Sequence, residues 1–228
     1  MPRRLLCLLL TLMTLLCVFP AYALEIPEPT LSPDAAPYDA DHPEDLEPDQ
    51  LYAVSAILVE AKSGLVIFEK NADQLMYPAS TTKIMTGLLA ILFGDLDATY
   101  TVTAADLDFG GESDVTDIDL REGEEMPVID LLYGAMIQSG NDAANALASS
   151  VSGSIPAFVD LMNQAAAAYG CTSTHFANPH GLHNDSHYTT VRDMALIARE
   201  AMQNDIFRQV VSTTSYTAAR TNLMRSRT

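Results

Sequence analysis

An abrupt change of composition at residue 51 determines which part of this chain can fold. Residues 24–50 contain six prolines and nine acidic residues but no lysine or arginine. Such a segment repels itself and can bury little apolar surface, so we interpret it as a disordered linker. Residues 51–228 are predicted to form one mixed domain, because no second linker and no internal repeat interrupts them.

The first 23 residues are typical of a secretory signal peptide. A basic start precedes an apolar stretch from Leu5 to Pro20, and Ala21-Tyr-Ala23 supplies a small-residue cleavage pattern. A membrane span is the alternative, but the stretch is shorter than the roughly 20 residues that a span needs. Cleavage after Ala23 would leave Cys171 as the only cysteine, so the domain has to be stabilised by its core rather than by disulfides.

The pattern of apolar residues predicts a hairpin followed by helices. Residues 53–60 and 65–70 are expected to form two strands joined by a Lys62-Ser-Gly64 turn, inside a sheet covered by helices. Residues 172–188 are rich in His and Asn, and we expect an ordered loop near a site there. Helical patterns occur at 81–93, 128–138, 142–150, 155–169 and 191–203.

A Ser-x-x-Lys pattern places a hydroxyl and an amine on one helical face. Ser80 and Lys83 are three residues apart at a predicted helix start, so their side chains can meet. A serine needs a base to become a nucleophile, and a lysine can serve if burial disfavours its charged form. The alternative is a serine cap beside a surface lysine. The pattern is a known signature of β-lactamases and penicillin-binding proteins.

A second polar group lies between two predicted helices, at Ser139-Gly-Asn141. From a tight turn, Ser139 and Asn141 can point into one cleft. The hydroxyl can pass on a proton, and the amide can hold both a lysine and a substrate carbonyl. The alternative is that one of the two side chains caps the following helix.

These motifs occur in a fixed order with further segments, namely residues 69–73, Pro78-Ala-Ser-Thr-Thr-Lys-Ile-Met-Thr86, residues 130–134, Ser139-Gly-Asn-Asp-Ala-Ala144, and residues 178–182, 187–190 and 192–195. The chain therefore resembles the low-molecular-weight penicillin-binding proteins, the serine D-Ala-D-Ala carboxypeptidases of peptidase family S11. The resemblance implies an α+β fold of the serine β-lactamase and penicillin-binding-protein type, with an antiparallel sheet flanked by helices.

The same resemblance implies a role for each site residue. Ser80 would be the acylated nucleophile and Lys83 its general base. Ser139 would relay a proton to the leaving D-alanine, and Asn141 would order Lys83 and the substrate. The Ser80 backbone N–H would form half of the oxyanion hole. The implied substrate is a peptidoglycan stem peptide ending in D-Ala-D-Ala, β-lactams would be covalent inhibitors, and no cofactor or metal is expected.

The chain departs from the family at the third motif, Lys-Thr-Gly. Its three lysines are Lys62, Lys70 and Lys83, and none begins that motif. Lys62-Ser-Gly64 precedes Ser80 and is explained by turn chemistry. The resemblance thus implies a catalytic domain that is truncated at its C-terminus and inactive as it stands. A membrane-anchoring helix, frequent in the family, would lie beyond Thr228.

Other functions remain open at this point. A class A β-lactamase shares Ser-x-x-Lys, but the chain has Ser139-Gly-Asn141 in place of Ser-Asp-Asn and no obvious Glu-x-x-x-Asn loop. An inactive peptidoglycan-binding fragment is a second alternative. A net charge of -18 argues against nucleic acid as a partner. The export signal predicts a place in the cell envelope or periplasm.

A zinc peptidase is a further alternative function. It would use a histidine cluster, namely His175, His180, His183 and His187.

Overall fold

The computed structural model describes residues 52–113 and 115–224. The predicted signal peptide and the predicted linker lie outside these residues. The elements are β1 (Ala56–Val59), β2 (Val66–Lys70), a 3-10 helix (Ala79–Thr82), α1 (Lys83–Phe93), β3 (Thr99–Thr101), a second 3-10 helix (Ala104–Leu107), β4 (Glu125–Pro127), α2 (Val128–Ile137), α3 (Asn141–Ser152), α4 (Ile155–Ala168), α5 (Val191–Ala201) and α6 (Asp205–Val211).

The strands form two small antiparallel pairs. β1 pairs with β2, with Leu58 opposite Phe68, and β3 pairs with β4. The β1–β2 turn is organised by the Glu60 carboxylate, which accepts hydrogen bonds from the backbone N–H groups of residues 62 and 63. Gly64 completes the turn at a φ of 76°, where glycine is favoured because it has no Cβ.

The predicted hairpin is confirmed, but its expected covering is only partly present. Helix α5 packs against β1, and the Arg199 side chain donates to the backbone carbonyls of Ala61 and Lys62 at the turn. Leu58 and Ile67 are 54% and 44% exposed. Within the described part of the chain, the hairpin therefore has one covered face and one open face.

Helix α3 is the centre of the helical part. Its residues Ala143, Ala146 and Leu147 are fully buried, and they belong to a core that also contains Leu131 and Leu132 of α2. Ala148, on the same helix, belongs to a second core. Small side chains along α3 allow neighbouring helices to approach closely, and this fixes the position of the α3 N-terminus between them.

That second core packs α1 and α4 against one another and against α5. Its fully buried members include Leu89 of α1, Phe158 and Met162 of α4, and Ile197 of α5. Because α1 is buried along most of its length, it holds its first residue, Lys83, at a defined depth inside the protein.

The helix ends agree with the sequence patterns to within three residues. Thr190 caps α5 by accepting from the Asp193 N–H, and Gly170 adopts a left-handed conformation just after α4. The short helix α6 and the pair β3–β4 were not predicted, because seven-residue and three-residue elements carry too little periodicity. No helix within residues 52–113 and 115–224 is long and apolar enough to cross a membrane.

Candidate active site

The approach to Ser80 is a short, strained segment held by a distant part of the chain. Met76 exchanges two backbone hydrogen bonds with Thr189, of 2.8 and 2.9 Å, at the entry to α5. Ala79 then adopts a φ of 48°, a left-handed conformation that residues with a Cβ rarely adopt. Ser80 follows in an exposed position.

The structure corrects the predicted helix start at this point. Residues 79–82 form a 3-10 turn, and the α-helix begins at Lys83, not at Thr81. The three-residue spacing still brings the two side chains together: the Lys83 Nζ lies 3.3 Å from the Ser80 Oγ. Side chains at i and i+3 eclipse one another in a 3-10 helix, so this tighter turn favours the contact.

The Lys83 amine is buried among oxygen acceptors. Its side chain is 3% exposed, and Nζ lies 2.7 Å from the Asn141 Oδ1 and 2.8 Å from the His180 carbonyl oxygen. A neutral amine has two N–H bonds and one lone pair. The two shorter contacts can take both N–H bonds, and the lone pair is then free to face the Ser80 hydroxyl.

Burial also changes the charge of this amine. Desolvation lowers the pKa of Lys83 from its ordinary 10.5 to about 8, while the negative charge of Asp142 acts in the opposite direction. A lysine with a pKa near 8 is partly neutral at physiological pH. The amine therefore meets both requirements for a base acting on Ser80, which are proximity and an available lone pair.

Asn141 and Asp142 reach the site from the first turn of α3. The Asn141 N–H donates to the Thr116 carbonyl at 2.8 Å. The buried Asp142 carboxylate accepts from the N–H groups of Ile118 and Leu120 at 3.0 and 2.9 Å, and its pKa is raised by burial. These bonds fasten the loop of residues 116–120 to the helix start. Sequence reasoning treated Asp142 as part of a helix start and missed its effect on Lys83.

Ser139 is the one predicted site residue that does not join this cluster. It is half-buried, and it has a φ of 60° in the turn between α2 and α3. Among residues 52–113 and 115–224, its hydroxyl makes no hydrogen bond to Ser80, Lys83 or Asn141. The structure thus brings Ser80, Lys83 and Asn141 together, and Ser139 stays outside this hydrogen-bonded group.

His180 was missed as a site residue because its backbone, not its ring, contacts Lys83. The turn from Asn178 to Leu182 presents the His180 carbonyl to the amine, and Thr86 anchors this turn by donating to the Pro179 carbonyl at 2.6 Å. Burial lowers the pKa of the His180 ring to about 3, helped by the charge of Lys83. The ring is therefore neutral at pH 7.

The four histidines of the cluster point to different partners. His187 accepts from the Ala177 N–H through Nδ1, so its Nε2 carries the proton and lies 2.8 Å from the Thr82 hydroxyl. His183 lies 3.4 Å from Asp185. No group of three or more metal-ligating side chains forms within the described ranges, residues 52–113 and 115–224.

These groups surround an open cleft of about 350 Å³. A larger cavity of about 450 Å³ lies between α2 and residues 214–218, and neither Ser80 nor Lys83 lines it. The smaller cleft is lined by Ser80, whose hydroxyl lies 3.3 Å from the Lys83 amine, and is the candidate site. It is lined by Tyr77, Ala79, Ser80, Thr116, Asn141, His180, Gly181, Leu182 and His183.

The chain matches the family model described as D-alanyl-D-alanine carboxypeptidase, peptidase S11, over residues 42–228. It is 40% identical over 156 residues to the D-alanyl-D-alanine carboxypeptidase DacF of Bacillus subtilis, covering 66% of this chain and 39% of that protein. It is 35% identical over 161 residues to DacA of Haemophilus influenzae, covering 69% and 41%. The chain thus spans about two fifths of the length of these relatives.

Solved structures show the same similarity. A serine-to-alanine mutant of the Streptomyces K15 DD-transpeptidase superimposes with a TM-score of 0.71 at 35% identity, covering 77% of this chain and 71% of that one. The D-alanyl-D-alanine carboxypeptidase of Mycobacterium tuberculosis superimposes with a TM-score of 0.67 at 33% identity, covering 73% and 62%.

Proposed function

Because the chain belongs to the D-alanyl-D-alanine carboxypeptidase family, peptidase S11, we propose that it removes the terminal D-alanine from peptidoglycan stem peptides through an acyl-enzyme on Ser80. The observation that carries this proposal is the position of the buried Lys83 amine. It lies 3.3 Å from the Ser80 hydroxyl, and the Asn141 Oδ1 and the His180 carbonyl oxygen accept from it at the shorter distances of 2.7 and 2.8 Å. The proposed place of action is the cell envelope, outside the cytoplasmic membrane.

In the acylation step, the Ser80 Oγ attacks the carbonyl carbon of the penultimate D-alanine while neutral Lys83 takes the hydroxyl proton. The tetrahedral intermediate carries a negative oxygen, toward which the Ser80 N–H is proposed to donate. When the C–N bond breaks, the leaving D-alanine amine receives one proton. We propose that this proton passes from Lys83 through the hydroxyl of Ser139, two residues before Asn141 in the chain.

In the second step, water attacks the Ser80 ester and transfers a proton to Lys83 as it does so. The C–O bond to Ser80 breaks, the serine oxygen recovers its proton, and the shortened peptide leaves. Asn141 is proposed to hold Lys83 through its Oδ1 while its NH₂ group faces the substrate carbonyl. Splitting one difficult hydrolysis into two easier steps is the benefit of the covalent intermediate.

The reactive pair accounts for acylation but not for the recognition of the substrate carboxylate. The chain has no Lys-Thr-Gly sequence. We therefore propose that the carboxylate-binding group and the second oxyanion donor are not supplied by residues 52–113 or 115–224. β-Lactams are proposed to acylate the same serine, since they imitate the D-Ala-D-Ala end.

Mass spectrometry after incubation with benzylpenicillin tests this function, using the protein as its complete gene encodes it. We expect a long-lived adduct on Ser80, because none of the cleft-lining side chains within residues 52–113 and 115–224 is a carboxylate that could activate water for rapid release. Rapid turnover would indicate a β-lactamase. The absence of an adduct would contradict the covalent mechanism and would favour a binding or zinc-dependent function.

Variants of the pair separate the two roles. Ser80→Ala should abolish the adduct, and Ser212→Ala, at an exposed serine outside the cleft, should not. Lys83→Arg keeps a positive charge but cannot act as a base, because the guanidinium stays protonated at every pH of the assay. It should nearly abolish acylation. Undiminished labelling of either site variant would remove that residue from its proposed role.

A further inference from the structure

We propose that Gly181 is a positioning residue that sets the orientation of the Ala79–Ser80 peptide and hence of the nucleophile's own N–H. The inference rests on the proposed function of Ser80. Gly181 has a φ of 95°, and a Cβ at this position would lie 1.9 Å from the Ala79 carbonyl oxygen and 3.0 Å from the Ser80 nitrogen. The two backbone segments are therefore in direct contact, and position 181 has no room for any residue with a Cβ.

The contact concerns the peptide group that the proposed chemistry needs. The Ala79 carbonyl and the Ser80 N–H belong to one planar unit, so a rotation of one moves the other. Ala79 precedes the Ser80 N–H with a φ of 48°, a conformation that alanine disfavours, and Ala79 is exposed. The backbone of Gly181 packs against the Ala79 carbonyl and limits the rotation of the Ala79–Ser80 peptide.

The turn that carries Gly181 is closed by three hydrogen bonds of one side chain, Asn178. The Asn178 Oδ1 accepts from the N–H groups of His180 and Gly181 at 3.2 and 2.6 Å, and its Nδ2 donates to the Leu182 carbonyl at 2.9 Å. The same turn presents the His180 carbonyl to Lys83. One turn therefore positions the proposed base through a carbonyl and the proposed nucleophile through a glycine.

An L-alanine at position 181 would push the Ala79 carbonyl away by about 1 Å, because its Cβ would otherwise lie 1.9 Å from that oxygen. A displacement of this size at a reacting group lowers the rate on the order of a hundredfold. The oxyanion contact is made only in the transition state. Gly181→Ala should therefore lower the acylation rate constant about a hundredfold, while the dissociation constant of the initial penicillin complex stays unchanged.

Gly170→Ala is the matched control. Gly170 has a φ of 82°, close to that of Gly181, but in the part of the chain that the structure describes no heavy atom beyond its chain neighbours lies within 4 Å of its added Cβ. Both variants carry the same left-handed strain, and only Gly181→Ala adds a collision with the nucleophile's peptide. Any loss of rate beyond that of Gly170→Ala measures the contact and not the strain.

The experiment is saturation kinetics of Ser80 acylation by a fluorescent penicillin, with thermal melting of each variant. A rate constant about a hundredfold below that of Gly170→Ala, with unchanged initial binding, supports the proposal. Equal rate constants overturn it. If the wild-type protein forms no adduct on Ser80, the proposed function fails first, and this outcome is distinct from equal rates.

A second pair keeps the test decisive if Gly181→Ala does not fold. Asn178→Asp keeps the oxygen that accepts from His180 and Gly181 and loses only the donor to the Leu182 carbonyl, whereas Asn178→Leu removes both. We expect a substantial loss of acylation rate in Asn178→Leu and a clear recovery in Asn178→Asp. Wild-type rates in both variants would overturn the proposal, and so would losses of equal size.

Discussion

A pH titration of acylation tests whether Lys83 acts as the base in its neutral form. Burial lowers its pKa to about 8, and this shift has a definite sign in the rate. Below that pH the amine is mostly protonated and cannot accept the Ser80 proton. Above it the lone pair is available. Acylation should therefore rise with pH and then level off, with a midpoint near 8.

The expected size of the effect follows from the same pKa. The neutral fraction of Lys83 is about one tenth at pH 7, about half at pH 8 and about nine tenths at pH 9. The acylation rate constant should thus increase nearly tenfold from pH 7 to pH 9 and change little beyond. A lysine in water, with a pKa near 10.4, would instead give an increase of almost tenfold per pH unit up to about pH 10.

The measurement is the rate constant for Ser80 acylation by benzylpenicillin between pH 6 and pH 10, corrected for spontaneous opening of the β-lactam ring. Asp142→Asn provides an internal check. Removing this negative charge should move the midpoint to lower pH, because the charge raises the pKa of Lys83. A rate that still rises tenfold per unit at pH 9, or one that does not depend on pH, would refute the assignment of Lys83 as the neutral base.

Three further predictions concern stability. Burial lowers the pKa of His187 to about 4, so between about pH 6.5 and pH 4 the unfolded chain binds a proton that the folded chain does not bind. The free energy of unfolding should therefore fall by roughly 1 kcal/mol for each unit by which the pH is lowered through this range. In urea titrations, this loss on acidification should be smaller for His187→Gln than for exposed His183→Gln. Arg199→Met should lower the free energy of unfolding by roughly 2 kcal/mol, because it removes two charged hydrogen bonds to the hairpin turn. Exposed Arg208→Met should change it little, and equal melting temperatures of the two variants would contradict this reasoning. Leu147→Ala should lower the unfolding free energy by about 2–5 kcal/mol, since Leu147 is fully buried, and a change below about 1 kcal/mol would show that the α3 core is misassigned.

The elements that the sequence alone predicted are those defined by local pattern. The hairpin and five longer helices follow from apolar periodicity, and Ser80 and Lys83 meet because a spacing of three residues is sufficient within one helical turn. These features require no knowledge of which distant segments pack together. The contact between Asn141 and Lys83, 58 residues apart, was implied only by the family resemblance.

The tertiary structure alone decided the chemistry of the site. The pKa of Lys83 depends on desolvation, which exists only after α1 is packed inside the helical core. The His180 carbonyl reaches Lys83 across 97 residues, and a backbone carbonyl has no signature in the sequence because every residue carries one. Gly181 reads as an ordinary turn glycine until the fold places it against Ala79. Local spacing determines which side chains are available, whereas burial and long-range contact determine which of them can react.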